Sequence, residues 1–279
     1  MPAFAAPDGV ELAYRVVGEG EPVVCVPGGM LASAYLGDLG GLARHRQLVM
    51  VDLRGTGESG GPGEPANWRC DRLVPDVEAL RQHLGLEKVT LLGHSAGASL
   101  VTRYAEAHPE RVEKLLLITP GTRSVGIEVT AERRRAVLER RKDEPWYPQV
   151  SAAFEAIQTG DGADWSALDP MSYARWDTET QAQQAFEDSL ANYEALGIFN
   201  APDAFDPPAT RAALAKVEAP ALVLAGALDW GTDTIAAEQF AGVFPNVQSV
   251  VLPGVAHHPW LDDADAFVAM VVRFLSTTD

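Results

Sequence analysis

The chain predicts an α/β fold: a mostly parallel central sheet with helices on both faces and an inserted helical cap. Three observations carry this. Short apolar, β-branched runs alternate with helical stretches from the N-terminus to about residue 121. The alternation stops between about 122 and 211, and it resumes at Ala221. Strands that are apolar along their whole length, rather than at every second position, are those of a parallel sheet covered on both sides.

In chain order, Val10–Val17 and Pro22–Val26 read as strands joined by the turn Glu19-Gly20-Glu21, and Leu48–Leu53 as a third. Leu73–Leu84 has helical spacing, with Val74, Val77, Leu80 and Leu84 on one face. Val89–Leu92 is a strand, Ala98–Ala107 a helix, and Val112–Ile118 a strand ended by Pro120-Gly121. The block that follows is helical and has no buried strand. Thr130–Lys142 is highly charged, and Thr178–Leu196 is amphipathic, opening on Thr178-Glu179-Thr180-Gln181 as a capping box. Ala221–Gly226, Ile235–Val243, Val247–Leu252 and Ala264–Leu275 then restore the strand–helix alternation. The organisation is therefore a core made of 1–121 and 212–279 with a cap of 122–211 inserted.

Composition narrows the function classes. The 279 residues are 47% hydrophobic and 22% charged, as in ordinary globular proteins. A formal net charge of −17, from 22 basic against 39 acidic residues, repels phosphate backbones and anionic headgroups. No nucleic-acid or membrane partner is expected, and the charge serves solubility. Residues 1–20 show no basic and apolar leader, no apolar run reaches spanning length, and Cys25 and Cys70 make no disulfide framework. The expected compartment is the cytoplasm and the expected partner a small-molecule substrate. No cofactor or metal is expected, and the oligomeric state is left open.

The chemistry centres on Gly93-His94-Ser95-Ala96-Gly97, between a strand and a small-residue helix. A serine on such a turn is forced into a strained conformation that exposes its hydroxyl, and bulkier neighbours than glycine would collide as the turn tightens. Serine needs an adjacent base held by a carboxylate to become a nucleophile. Asp229 follows the apolar strand Ala221–Gly226 by a short turn, where such an acid belongs; Asp233 competes but reads as a helix start. The base comes from the adjacent pair His257-His258, in a loop after the last strand. His94 would point into the sheet, and His45, His83 and His108 suit solvated positions.

The order Ser95, Asp229, His257/His258 resembles that of the α/β-hydrolases, and the resemblance runs over essentially the whole chain. It is strongest to the capped serine hydrolases of the proline-iminopeptidase-like branch. Val24-Cys25-Val26-Pro27-Gly28-Gly29-Met30 is similar to the H-G-G-P-G oxyanion loop, with Pro27 where the family has histidine. Val51-Asp52-Leu53-Arg54-Gly55-Thr56-Gly57-Glu58-Ser59 resembles a D-x-R-G-x-G-x-S segment, and Gly254–Trp260 the histidine loop G-x-G-H-x-P-W. The resemblance implies that His257 is the base and that the backbone N–H groups of Ala96 and Gly29, with Met30 beside it, form the oxyanion hole. Arg54 is expected to pin loops. Related epoxide hydrolases and dehalogenases carry aspartate where this chain has Ser95, so the acyl-serine route is the one implied.

The cap aromatics suggest an apolar or ring-bearing substrate, with Trp146, Trp176, Tyr193 and Trp230 as candidate pocket residues; Trp146, Trp165 and Trp176 equally suit packing of the cap. Prolyl aminopeptidases hold the substrate ammonium with cap carboxylates, and Glu155, Asp177, Glu187 and Glu194 are available here. The expected activity is hydrolysis of an ester, thioester, lactone or small amide through an acyl-enzyme. A prolyl-type aminopeptidase and a non-hydrolytic cyclase or lyase of a biosynthetic pathway are the alternatives.

Overall fold

A computed structural model describes residues 1–160 and 164–277. Positions 161–163 of the expected cap and 278–279 of the expected core lie outside the described residues. The strands are β1 (Ala3–Ala5), β2 (Glu11–Val17), β3 (Pro22–Val26), β4 (Gln47–Val51), β5 (Val89–His94), β6 (Val112–Ile118), β7 (Ala221–Gly226) and β8 (Val247–Leu252). They form one sheet in the order β1-β2-β4-β3-β5-β6-β7-β8. β1 pairs antiparallel with β2 and β2 with β4, while every pair from β4 through β8 is parallel. The helices are α1 (Val74–His83), α2 (Ala96–Ala107), α3 (Ala131–Glu139), α4 (Tyr147–Thr159), α5 (Thr178–Leu190), α6 (Tyr193–Phe199), α7 (Pro207–Leu214), α8 (Thr234–Ala241), α9 (Pro259–Asp262) and α10 (Ala264–Leu275). Among the described residues no helix is long and apolar enough to cross a membrane.

The two faces of the sheet divide its side chains by alternation. Val24, Val49, Leu91, Leu115 and Val223 join the core under α1, α2, α7 and α8. Val23, Met50, Leu92, Leu116 and Leu222 join the one under α10. Burial on both faces explains why these strands read as unbroken apolar runs. Residues between β6 and β7 have a small core of their own, built on Val137, Leu138, Val150, Phe154, Leu168 and Met171.

Local chemistry sets several elements apart from the expected ones. β1 is not among the expected strands, being only three residues long and too short to show a period. The third expected strand stops at Val51 because the Asp52 carboxylate turns aside to accept the N–H groups of Ser33 (2.7 Å) and Glu58 (3.2 Å). The expected helix Thr178–Leu196 is two helices. Ala191 is extended and bridges to Leu31, and the Asn192 side chain then caps α6 through the Ala195 N–H. The capping box also begins one residue early: Asp177 accepts the Glu179 and Thr180 N–H groups, while the Thr180 hydroxyl oxygen accepts the Asp177 N–H.

Candidate active site

Ser95 sits between the end of β5 and the start of α2 with φ 52° and ψ −121°. This non-glycine left-handed φ costs roughly 1–3 kcal/mol and persists only where the surroundings enforce it. They do so by crowding. A Cβ on Gly97 would lie 2.4 Å from the carbonyl oxygens of Val26 and Pro27, and one on Gly93 would lie 2.6 Å from the Ala98 Cα. Gly28 is equally constrained, since a Cβ there would lie 2.8 Å from the Ser95 Cβ. The oxyanion-loop candidate is thus pressed directly onto the serine turn.

Asp229 lies beyond the end of β7 and is fully buried. Its Oδ1 accepts the N–H groups of Gly231 (2.8 Å) and Thr232 (3.2 Å), and its Oδ2 lies 3.0 Å from His257 Nδ1. Nδ1–H therefore faces the carboxylate, which leaves Nε2 as the basic lone pair. Asp233 is engaged elsewhere: it caps α8 and pairs with Arg133. The backbone of His257 is anchored on three sides. Its carbonyl accepts from His94 Nε2 and from the Thr119 hydroxyl, each at 3.0 Å, and its N–H donates to the Ser172 carbonyl. Ser95 and His257 line the same cavity, of about 540 Å³.

His94 does point inward, but to a specific end. With Nε2–H spent on the His257 carbonyl, its Nδ1 accepts the Tyr35 hydroxyl at 2.7 Å, and Tyr35 in turn accepts the Gly28 N–H at 2.7 Å. Complete burial holds the His94 ring neutral, far below the ordinary histidine range, and the nearby His257 and His258 act the same way. This relay ties the Gly28 loop to the His257 loop and leaves the Gly28 N–H engaged by Tyr35. The N–H groups of Gly29, Met30 and Ala96 are left without a partner among the described residues.

His258 does different work from its neighbour. Its Nε2 lies 3.3 Å from Glu187 Oε2, its Nδ1 lies 3.3 Å from the Ser172 carbonyl, and Tyr173 stacks on the ring at 5.0 Å. Burial pushes the His258 pKa down, but the Glu187 carboxylate outweighs it and the net shift is upward. Glu187 moves below the ordinary glutamate range, its own burial overcome by His258.

The cavity walls differ from the expected aromatic pocket. Tyr193 lines the cavity, and so does Trp165. Trp146, Trp176 and Trp230 do not. Trp146 is stacked on Arg141 in the small core, Trp176 lies against Tyr173, and Trp230 lies under the Arg134 guanidinium. Four carboxylates take their place: Asp164, Asp169, Glu187 and Asp188. Asp188 accepts from Gln184 and the Tyr193 hydroxyl, whereas Asp169 has no hydrogen-bond or ion-pair partner among the described residues. Half-burial, with Asp188, Asp164 and Glu187 nearby, raises the Asp169 pKa to about 6. Of the cap carboxylates singled out from sequence, only Glu187 lines this wall; Glu155 pairs with Arg135, and Asp177 caps α5. Asp169 was missed because a single aspartate before Pro170 carries no periodic or motif signal. Arg54 is clamped between Asp8 and Asp76, with contacts of 2.5–3.0 Å, outside this cavity. Among the described residues no group of His, Cys, Asp and Glu is placed to hold a metal ion.

Comparison with known proteins agrees with this architecture. A family profile of the alpha/beta hydrolase fold matches residues 21–264. A proline iminopeptidase of Heyndrickxia coagulans is 25% identical, aligning 93% of this chain with 92% of that protein. An esterase from Exiguobacterium antarcticum superposes with a TM-score of 0.74 at 21% identity, covering 99% of both chains. An enol-lactonase from Burkholderia xenovorans gives 0.71 at 22% identity, over 99% of this chain and 100% of that one. At those identities the two structures speak for the fold. With the profile spanning six of the eight strands and well over half of the sequence, this chain belongs to the α/β-hydrolase fold family.

Proposed function

We propose that the chain is a serine hydrolase that cleaves an ester, thioester, lactone or small amide of a small organic substrate through an acyl-enzyme. The contact of Asp229 Oδ2 with His257 Nδ1, on the wall of the cavity that holds the strained Ser95, carries this reading. His257 Nε2 takes the Ser95 proton as Oγ attacks the carbonyl carbon. The oxyanion forms toward the unpartnered N–H groups of Ala96 and Gly29, with Met30 adjacent. The tetrahedral intermediate collapses, the C–O, C–S or C–N bond breaks, and His257 passes its proton to the leaving group. Water then adds to the acyl carbon with His257 again as base, releasing the acid and restoring Ser95. Asp229 keeps the imidazole in the required tautomer and offsets its transient charge.

Ser95→Ala tests this with 4-nitrophenyl acetate and butyrate. A loss on the order of 10³-fold or more in kcat is expected, together with loss of fluorophosphonate labelling. Unchanged turnover in the variant sinks the proposal.

The aminopeptidase reading keeps one favouring observation: among the described residues, four carboxylates and no unpaired cation line the cavity of about 540 Å³ that Ser95 shares with His257, an environment suited to an ammonium group. Prolyl arylamides separate the two readings, and cleavage of the esters alone excludes the peptidase.

A further inference from the structure

On the other side of Ser95 the site opens into a second lobe of about 720 Å³, which meets the first at Gly29, Ser95 and Leu196. Its character is opposite. Ile127, Val129 and Phe205 supply apolar walls, and Arg123 and Arg134 supply charge. One carboxylate, that of the exposed Glu128, also reaches it. Arg134 belongs to a run of three arginines on α3 whose neighbours are both committed. Arg133 pairs with Asp233, and Arg135 chelates Glu155 with contacts of 2.7–2.9 Å. Arg134 instead lies over the Trp230 ring at 5.1 Å and donates only its Nε–H, to the Val129 carbonyl at 3.2 Å. Its two terminal nitrogens have no partner among the described residues. A part-buried guanidinium set over an indole, with both terminal nitrogens unpaired on a residue that lines the cavity, suits a planar anion in charge and hydrogen-bonding capacity. Its desolvation also depresses its pKa, an unfavourable state that a bound anion would relieve.

We propose that this lobe is a substrate subsite for a carboxylate carried on a short apolar arm, with Arg134 as its specificity-determining residue. This rests on the reading of Ser95 as the nucleophile. Together with the acidic first lobe, it describes a substrate whose scissile carbonyl lies between a neutral or cationic end and an anionic end.

The experiment compares wild type with Arg134→Gln on two matched ester pairs. One pair places the charge on the acyl side (4-nitrophenyl hydrogen glutarate against 4-nitrophenyl butyrate). The other places it on the leaving group (4-acetoxybenzoate against its methyl ester). Wild type should prefer the charged member of one pair. The variant should lose about 10- to 100-fold in kcat/KM for that member, chiefly through KM, with the neutral members within about two-fold. Arg134 also lies within electrostatic range of Asp229. An equal loss on charged and neutral members, or no preference in wild type, therefore overturns the proposal in favour of a role toward Asp229 or the fold. Calorimetric titration with glutarate gives a readout without turnover. Binding by wild type that the folded variant lacks supports the subsite even if no ester is cleaved, an outcome that would remove only the hydrolase reading. Absent or unchanged binding refutes the subsite.

Discussion

Glu187→Gln removes one charge from the junction of α5 with the His258 loop while keeping the shape of the side chain. The partners are 3% and 7% exposed, so the pair obeys the rules of buried rather than surface ion pairs. Removing one member of a buried pair typically costs about 3–5 kcal/mol. The glutamine oxygen can still accept the His258 Nε2–H, which lowers the expected loss to roughly 2 kcal/mol. For a chain of this length that is about 5 °C in Tm. The pH dependence discriminates the cause. His258 is raised above its ordinary value of 6.5, so its contribution is complete below 6.5 and fades as pH rises through the raised value. Glu187 is lowered from 4.5, so its contribution is complete above 4.5 and fades as pH falls through the lowered value. The Tm difference between wild type and variant should therefore be widest between pH 4.5 and 6.5 and should narrow as the pH rises through the raised His258 value. Asp169 titrates near pH 6 and is raised in part by Glu187, so the melts are repeated in an Asp169→Asn background that removes its contribution. Tyr173 and Tyr35 are neutral over these pH values, His94 is held uncharged, and Asp262, raised by its burial against the pull of the Ala256 and Ala174 N–H groups, is common to both proteins. Calorimetric or circular-dichroism melts from pH 4 to 9 make the measurement. A difference that is flat across that range, or widest above pH 8, refutes the charged pair.

Asp169→Asn should raise Tm at pH 8 and leave it nearly unchanged at pH 4. The carboxyl is raised to about 6, so its ionised form burdens the fold only as pH climbs through that value. Full conversion of that shift would give about 3 kcal/mol, and solvent reaching the half-buried group reduces it to about 1 kcal/mol or 2–3 °C. Gly97→Ala places a Cβ against two backbone carbonyls that cannot rotate away, so a loss of about 2–3 kcal/mol in thermal unfolding is expected. A fall in 4-nitrophenyl acetate turnover at least as large as that from adding a methyl elsewhere on α2 should accompany it.

Much of the fold was legible because burial on both faces leaves a compositional mark. Residues 89–92, 112–118 and 221–226 are apolar at nearly every position, and all three lie in the centre of the sheet. The antiparallel edge was not legible. Ala3–Ala5 is too short to show a period, and pairing direction is set by the path of the chain rather than by residue type. Ser95, Asp229 and His257 were singled out as residues that end strands in turn-forming contexts, and the structure brings Asp229 and His257 into contact beside the cavity of Ser95. The choice between His257 and His258 needed the resemblance, since adjacent residues share every local signal and differ only in whether Asp229 or Glu187 stands opposite. The pocket walls were the least legible. Trp146 and Trp230 satisfy the same apolar expectation by packing on Arg141 and Arg134 as they would by facing a ligand. Asp169 and Arg134 acquire their character only from which neighbours fail to pair with them.

The helical block is fastened to the two loops that hold the candidate chemistry, not merely laid over them. The Ala32 N–H donates to the Leu190 carbonyl and the Asn192 N–H to that of Met30, so the segment between α5 and α6 fixes the loop carrying Gly29. The Asn192 side chain reaches Gly55, and Ser172 receives the His257 N–H. Asp262 bridges the Ala256 and Ala174 N–H groups, and Glu187 holds His258. At roughly 1 kcal/mol net for each hydrogen bond, lifting the block as a unit would break several of these together with a buried ion pair. The loop carrying Gly29 and the His257 loop would lose their supports in the same movement. Pocket shape and the geometry of the Ser95 turn are thus one coupled structure, joined by Tyr35 and His94 beneath and by residues 172–192 above. Substitutions along that segment should accordingly change kcat as well as KM, whereas a pocket residue that only touches substrate, as proposed for Arg134, should act mainly through KM.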